Sequence, residues 1–249
     1  MAIYDTYVAS ARVGAGTKLK QRVAARIFAM DLTPSAATVD KVLELGPGDG
    51  YIAELFRNQG MTYTAVEGSA EIAAELRRRD VQVFERHASP LPPALPGPFG
   101  TCFMLHVLEH MPGPQVAATL LNEIRAQLLP GATLVIACPA FEHRGARFYD
   151  CDYTHSFPLT RRRLEQLLRD QGFDLVVNAV HCGPGCGRGW IVLSCCARLL
   201  WPAWLDALVG HRVQGDVFNR GLLTFMPNLG LVARKPQGAN LPKAHQEHT

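Results

Sequence analysis

The sequence predicts an α/β protein built on a doubly wound, seven-stranded, mostly parallel sheet, with a helical insertion between the last two strands. Two observations carry this. Strand-like and helix-like segments alternate along the chain, as they do where crossover helices join parallel strands. The first clear strand also runs into a glycine-rich turn, "VLELGPGDG" from Val42 to Gly50, and sheets of this kind place their ligand beyond the carboxyl ends of the strands. The 249 residues, 48% of them hydrophobic, suffice to bury one sizeable core. We expect one domain over residues 1–236, with residues 1–40 as a helical cover, 181–222 as the insertion over the active site and 237–249 as a flexible tail.

The elements follow in order. "KLKQRVAARIFAM" has helical spacing with basic residues on one face. "KVLEL" reads as a buried strand, and after the glycine turn a helix runs through "YIAELFRNQG" to a stop at Gly60. "TYTAVEG" is the second strand, "SAEIAAELRRRD" a helix that Ser69 can cap, and "VQVFER" the third strand. A loop crowded with Pro90, Pro92, Pro93, Pro96 and Pro98 leads to the fourth strand, "FGTCFML". "PGPQVAATLLNEIRAQLL" is a helix that stops at Pro130-Gly131, and "ATLVIACP" is the fifth strand. A polar loop runs to Phe157. Thr160 then caps "RRRLEQLLRDQ", Gly172 ends it, and "FDLVVNAV" and "LGLVARK" are the sixth and seventh strands.

The net charge of +3 is small, and the basic triplets Arg77-Arg78-Arg79 and Arg161-Arg162-Arg163 fall in helix-like segments. They read as solvated faces, so a nucleic-acid partner is not expected. Seven cysteines and a start, "MAIYDTYVAS", without the basic and apolar regions of a signal peptide fit reduced thiols in a cytoplasm. "WIVLSCCARLLWPAWLDALVG" is interrupted by Arg198, Pro202 and Asp206. Its uncharged runs fall short of the ~18–20 residues of a span, so no stable membrane insertion is expected. Its Trp190, Trp201 and Trp204 suit a helical cover over the site, or contact with an apolar substrate or membrane surface. His181, Cys182, Cys186, Cys195 and Cys196 lack the spacing of a zinc site. No metal ligand set is assigned.

The glycine turn selects among cofactors. A dinucleotide site would have Gly-x-Gly-x-x-Gly and receive a pyrophosphate at the helix start. Here the glycines are Gly46, Gly48 and Gly50, with Tyr51 after them, and the strand carries Glu44. A carboxylate repels a pyrophosphate and attracts an ammonium group. Glu67 ends the second strand, where a carboxylate accepts hydrogen bonds from the hydroxyls of a ribose. A ribose, a cationic end and no phosphate describe S-adenosylmethionine.

"VLELGPGDG", "TAVEGS", "FGTCFMLHVLEHMPGP" and "LLPGATLVIACP" resemble, in order, the signature motifs of class I S-adenosylmethionine-dependent methyltransferases. They are most similar to the ubiquinone-type, small-molecule branch with its "VLEH" motif. The resemblance spans about Leu43 to Lys235. It implies a Rossmann-like fold in which Gly46, Gly48 and Gly50 let the backbone approach the methionine part of the cofactor. It also implies that Glu67, beside Gly68, holds the ribose, and that His106 and Val107 line the sulfonium side. The family often has an Asp at the adenine turn, where this chain has His87 and Ala88 in "RHASPLP", and an Asp where Gly100 stands.

Methyl transfer is an in-line displacement on an already activated carbon, so the protein mainly supplies proximity and alignment. The acceptor is expected to be an oxygen of a small molecule, hydroxyl or carboxylate, with nitrogen as the alternative. For a hydroxyl, "DCDYTHSFPLT" offers Asp152 to orient His155 as a base, and Glu109-His110 offers either a helix-start feature or a second imidazole facing the cavity. For a carboxylate, Arg144 and Arg147 stand available. The rival class of function is a protein that binds the cofactor without transferring its methyl. A nucleic-acid methyltransferase is disfavoured, because "HVLEH" stands where an Asn/Asp-Pro-Pro-aromatic motif would be. The oligomeric state is not specified by any of these signals.

Overall fold

In the computed structural model, residues 41–182 (except 49 and 151), 185–186, 192 and 227–238 are described. The proposed N-terminal cover, most of the insertion with its tryptophans, and the tail from residue 239 lie outside them. The elements are β1 (Lys41–Leu45), α1 (Tyr51–Arg57), β2 (Thr62–Glu67), α2 (Ala70–Arg78), β3 (Gln82–Glu85) and β4 (Phe99–Leu105). After a 3-10 turn at Leu108–His110 come α3 (Pro114–Gln127), β5 (Leu128–Pro139), α4 (Phe141–Arg144), α5 (Arg147–Asp150), α6 (Arg161–Asp170), β6 (Asp174–Cys182), the two-residue β7 (Gly185–Cys186) and β8 (Pro227–Arg234).

One sheet runs in the order β3-β2-β1-β4-β5-β8-β6-β7. β1 to β5 pair in parallel, while β8 lies antiparallel between β5 and β6. The seven predicted strands are present, and β7 adds a short hairpin return after β6. The chain order reverses between β1 and β4, the switch point at which doubly wound sheets open a crevice.

Side chains alternate across the sheet. On one face Val42, Tyr63, Ala65, Phe103 and Val135 pack with Ile52, Ala53 and Phe56 of α1 and Leu76 of α2. On the other, Leu43, Leu45, Met104, Leu134 and Ile136 pack with Ala117, Leu120, Leu121 and Ile124 of α3 and Leu164 and Leu168 of α6. With both faces covered, the central strands read as continuous apolar runs, as in "KVLEL". The Ser69 hydroxyl accepts from the Ile72 amide at 3.4 Å and that of Thr160 from Arg163 at 3.3 Å, so both predicted caps start their helices. Cys102 and Cys138 are buried free thiols whose pKa values burial pushes up. No helix among the described residues is long and apolar enough to cross a membrane.

Candidate active site

The glycine turn closes β1 against β4. Gly46 has φ +64°, its N–H donates to the Val66 carbonyl at 2.9 Å, and a Cβ on it would stand 2.9 Å from Val107 Cγ2. Glycine is needed here by both conformation and space. Gly48 has φ +52° but opens onto empty space: beyond its chain neighbours, no atom of the described residues lies within 4 Å of a Cβ built on it. The turn is thus tight at Gly46 and presents bare backbone at Gly48. Gly50, at φ +66°, is the residue that starts α1.

Two carboxyls sit beneath this turn on adjacent strands. Glu67 is buried and accepts from the Ser69 N–H at 2.8 Å and from the backbone of Gly48 and Gly68. Burial raises its pKa, and those three bonds and His87 oppose without cancelling the rise. His87 is near: a Cβ on Gly68 would meet its Nδ1 at 3.0 Å. Ala88 is half-buried against the core. The structure therefore gathers Gly48, Glu67, Gly68 and His87 at one place.

Glu44 is 2% exposed, and its Oε2 accepts the Tyr63 hydroxyl. Burial drives its pKa to about 8; the Tyr63 bond opposes and Glu67 adds to the rise. A carboxyl whose folded pKa exceeds its unfolded one binds more protons folded than unfolded, so stability falls as pH rises from about 4.5 towards about 8 and then levels. Glu44→Gln, which mimics the protonated carboxyl, is expected to remove part of this fall. Urea midpoints measured at acidic and mildly alkaline pH check it, and an unchanged slope would show that Glu44 ionises freely.

A second cluster forms where β4 ends. His106 adopts φ +58°, in the left-handed region, and its N–H donates to Ala137 at 2.8 Å. Val107 is buried. The Glu109 side chain, 1% exposed, places Oε1 3.0 Å from His106 Nδ1. Burial works to raise the Glu109 pKa, but the His106 hydrogen bond and the nearby charges of His106 and His110 hold it below the usual range. The loop after β5 is stitched to this turn: the Ser156 and Phe157 amides donate to the Glu109 carbonyl at 2.9 Å and the Ser156 hydroxyl to Met111 at 2.8 Å.

That loop brings Asp152 and His155 to His110, with a corrected pairing. Asp152 Oδ1 accepts from the Thr154 N–H at 2.9 Å and its hydroxyl at 2.6 Å, and Thr154 Oγ1 lies 2.7 Å from His110 Nδ1. The hydrogen-bond chain from Asp152 thus runs through Thr154 to His110, where the sequence suggested Asp152 to His155. His155 instead turns Nδ1 to the Phe148 carbonyl at 2.7 Å. The two imidazoles lie edge to face, centroids 4.9 Å apart. Burial lowers the His110 pKa, and His155 lowers it further against the pull of Glu109 and Asp152, so the ring is neutral at pH 7. Asp152 is held low: burial opposes, but the two Thr154 bonds and the histidine charges prevail. Arg144 is buried with Nη2 on Asn228 Oδ1 at 2.8 Å, a structural tie across to β8.

Sequence reasoning missed Thr154 as the link and treated Glu109 mainly as a helix-start residue. Burial of an acid in "HVLEH" beside a histidine was the available signal.

A family model described as a methyltransferase domain matches residues 17–178. No curated protein matches in sequence. Among solved structures, the chain is similar to a SAM-dependent methyltransferase from Archaeoglobus fulgidus, with TM-score 0.60, 19% identity, and 88% of this chain and 94% of that one covered. It is also similar to the N-methyltransferase NodS from Bradyrhizobium japonicum (TM-score 0.57, 13% identity, 88% and 97% covered). A third similar structure is the StiE O-MT (TM-score 0.58, 16% identity, 94% and 81% covered).

Proposed function

Because the chain belongs to the methyltransferase-domain family, as the match over residues 17–178 shows, we propose that it moves the methyl group of S-adenosylmethionine onto an oxygen of a small molecule. Dependence on S-adenosylmethionine and methyl transfer come with the family and the fold. The oxygen acceptor is the finer reading, as is the placing of "HVLEH" with the ubiquinone-type branch. One observation supports it: a neutral His110, held through Thr154 by Asp152 and flanked by His155, stands at the switch-point edge of the sheet. An amine acceptor needs no such apparatus once it is neutral, whereas a hydroxyl must lose a proton as it attacks.

The residues under the turn fit the cofactor. Open space at Gly48 receives its methionine end and Glu67 reaches the ribose hydroxyls, with Gly68, His87 and Ala88 towards the adenine, while Glu44, whose pKa burial raises to about 8, adds negative charge towards the ammonium group only as it ionises. His106 and Val107 lie on the sulfonium side. Glu67→Ala is expected to weaken cofactor binding ten- to a hundred-fold, about 1.5–3 kcal/mol for a charged hydrogen-bonded group. Calorimetric titration with S-adenosylmethionine measures this, and an unchanged affinity removes Glu67 from the site.

The acceptor is tested with tritiated-methyl cofactor and separate hydroxyl, carboxylate and amine acceptors. Label in a base-stable ether supports the hydroxyl reading, and label in a base-labile ester a carboxylate. Label only in amines overturns oxygen as the acceptor, and no transfer with intact cofactor binding leaves a binder of the same fold.

A further inference from the structure

Glu109, His110 and His155 each offer one ligand atom, and these atoms lie within 4.8 Å of one another. We infer that these three side chains bind a divalent transition-metal ion that in turn holds the acceptor oxygen. The inference deepens the hydroxyl-methylation reading above and rests on it only for the role of the ion, not for its binding.

Three independent features point to a ligand at this place. The first is Glu109. Its Oε1 is engaged by His106, but Oε2 is buried and makes no hydrogen bond among the described residues. A carboxylate oxygen taken out of water without a partner is costly, and native structures rarely leave one so. A cation against Oε2 removes that cost.

The second is the state of the two imidazoles. The Thr154 hydroxyl proton is directed to Asp152, so Thr154 Oγ1 accepts from His110 Nδ1–H. The Phe148 carbonyl accepts from His155 Nδ1–H. In a neutral ring bonded this way Nδ1 carries the proton, which puts the lone pair on Nε2. Metal-ligating histidines are oriented in this way, with the other ring nitrogen donating to a carbonyl or a carboxylate-anchored group. His106, bonded to Oε1, orients the carboxylate as Thr154 and Phe148 orient the rings.

The third is the donor set. Two imidazoles and one carboxylate suit zinc, manganese, iron or cobalt rather than calcium or magnesium. Three protein ligands leave coordination positions open, the pattern of catalytic rather than structural sites. Val107, two residues before Glu109, contacts the Gly46 turn, so the ion would lie beside the cofactor turn. The chemistry then balances simply. The acceptor hydroxyl takes an open position and gives its proton to water. Its oxygen attacks the methyl carbon, the new C–O bond forms as the C–S bond breaks, and the sulfonium leaves as a neutral thioether.

The test uses the full chain, stripped with chelator, dialysed and titrated with Mn²⁺ or Co²⁺ by calorimetry in the absence of any acceptor. A single saturable site is expected. Glu109→Gln and His155→Gln should each weaken it by more than the roughly 10–100-fold typical of losing an outer partner, and Thr154→Val by about that amount. Circular dichroism and unchanged S-adenosylmethionine affinity establish that each variant is folded. Should buried Glu109→Gln fail to fold, the half-buried His155→Gln decides alone. The Co²⁺ spectrum should show d–d bands without thiolate charge transfer, which separates this site from the cysteines. No saturable binding, or binding that folded His155→Gln leaves intact, overturns the site. Binding to the wild type with full hydroxyl methylation in chelator keeps the site and overturns its role. Binding with methylation only of amines fails the acceptor reading alone.

Discussion

Gly48→Val is expected to abolish S-adenosylmethionine binding while the protein still folds. Gly48 sits at φ +52°, and an L-residue in the left-handed region costs roughly 1–2 kcal/mol, more for a β-branched one. Domain stability is about 5–15 kcal/mol, so this strain alone does not unfold the chain. Nor do the described residues resist the added volume, because beyond the chain neighbours none has an atom within 4 Å of the new Cβ. The side chain instead fills the space where bare backbone would meet the methionine end of the cofactor. It would also disturb the Gly48 amide that helps hold Glu67. Gly46→Val makes the contrast, since its Cβ would stand 2.9 Å from Val107 and the variant should melt well below the parent. Thermal melting and calorimetry distinguish the two. A folded Gly48→Val with normal affinity would place the cofactor elsewhere.

The sequence revealed what is specified locally. "KVLEL" and "FGTCFML" have the bounds of β1 and β4, because uninterrupted apolar runs in a central parallel strand need no help from elsewhere to be recognised. Ser69, Thr160 and the positive-φ glycines marked helix starts and turns for the same reason. Tertiary pairing was less visible. The sequence carried α3 to Pro130-Gly131, but the helix ends at Gln127 and Leu128–Pro130 join β5, where Leu128 pairs with Phe99 across an irregular register. The short α4 and α5 lack a sequence signal strong enough to separate them from a polar loop. The meeting of the glycine turn with Glu67 was legible because a single βαβ unit presents both. The Glu109–His110–His155 cluster was not, since it joins a turn after β4 to a loop after β5. The Asp152–His155 spacing suggested a pair, but the loop inserts Thr154 between Asp152 and a histidine from another element.

His110→Ala is expected to lower turnover by about 10²–10⁴-fold while cofactor affinity stays near that of the parent. His110 is neutral, and its ring is fixed by Thr154 on one side and His155 on the other. It stands at the end of the 3-10 turn that follows β4, on a different element from Gly48 and Glu67, the residues proposed to hold the cofactor. In the proposed reading, removing it takes away a group that meets the acceptor oxygen, whether as base or as ligand, and leaves the proposed cofactor contacts in place. Thr154→Val supplies the positioning test. It keeps the imidazole but deprives Nδ1–H of its acceptor and Asp152 of a hydroxyl donor. The ring is then free to turn, so a smaller loss in kcat is expected than for His110→Ala, with little change in KM. Thr154→Ser restores a hydroxyl and should recover most of that loss, which a purely structural role for the loop does not predict. A merely structural His110 would show itself in a lowered melting temperature and a raised KM at near-parental kcat. That result would remove His110 from the reacting centre and leave alignment of the two substrates as the main source of rate.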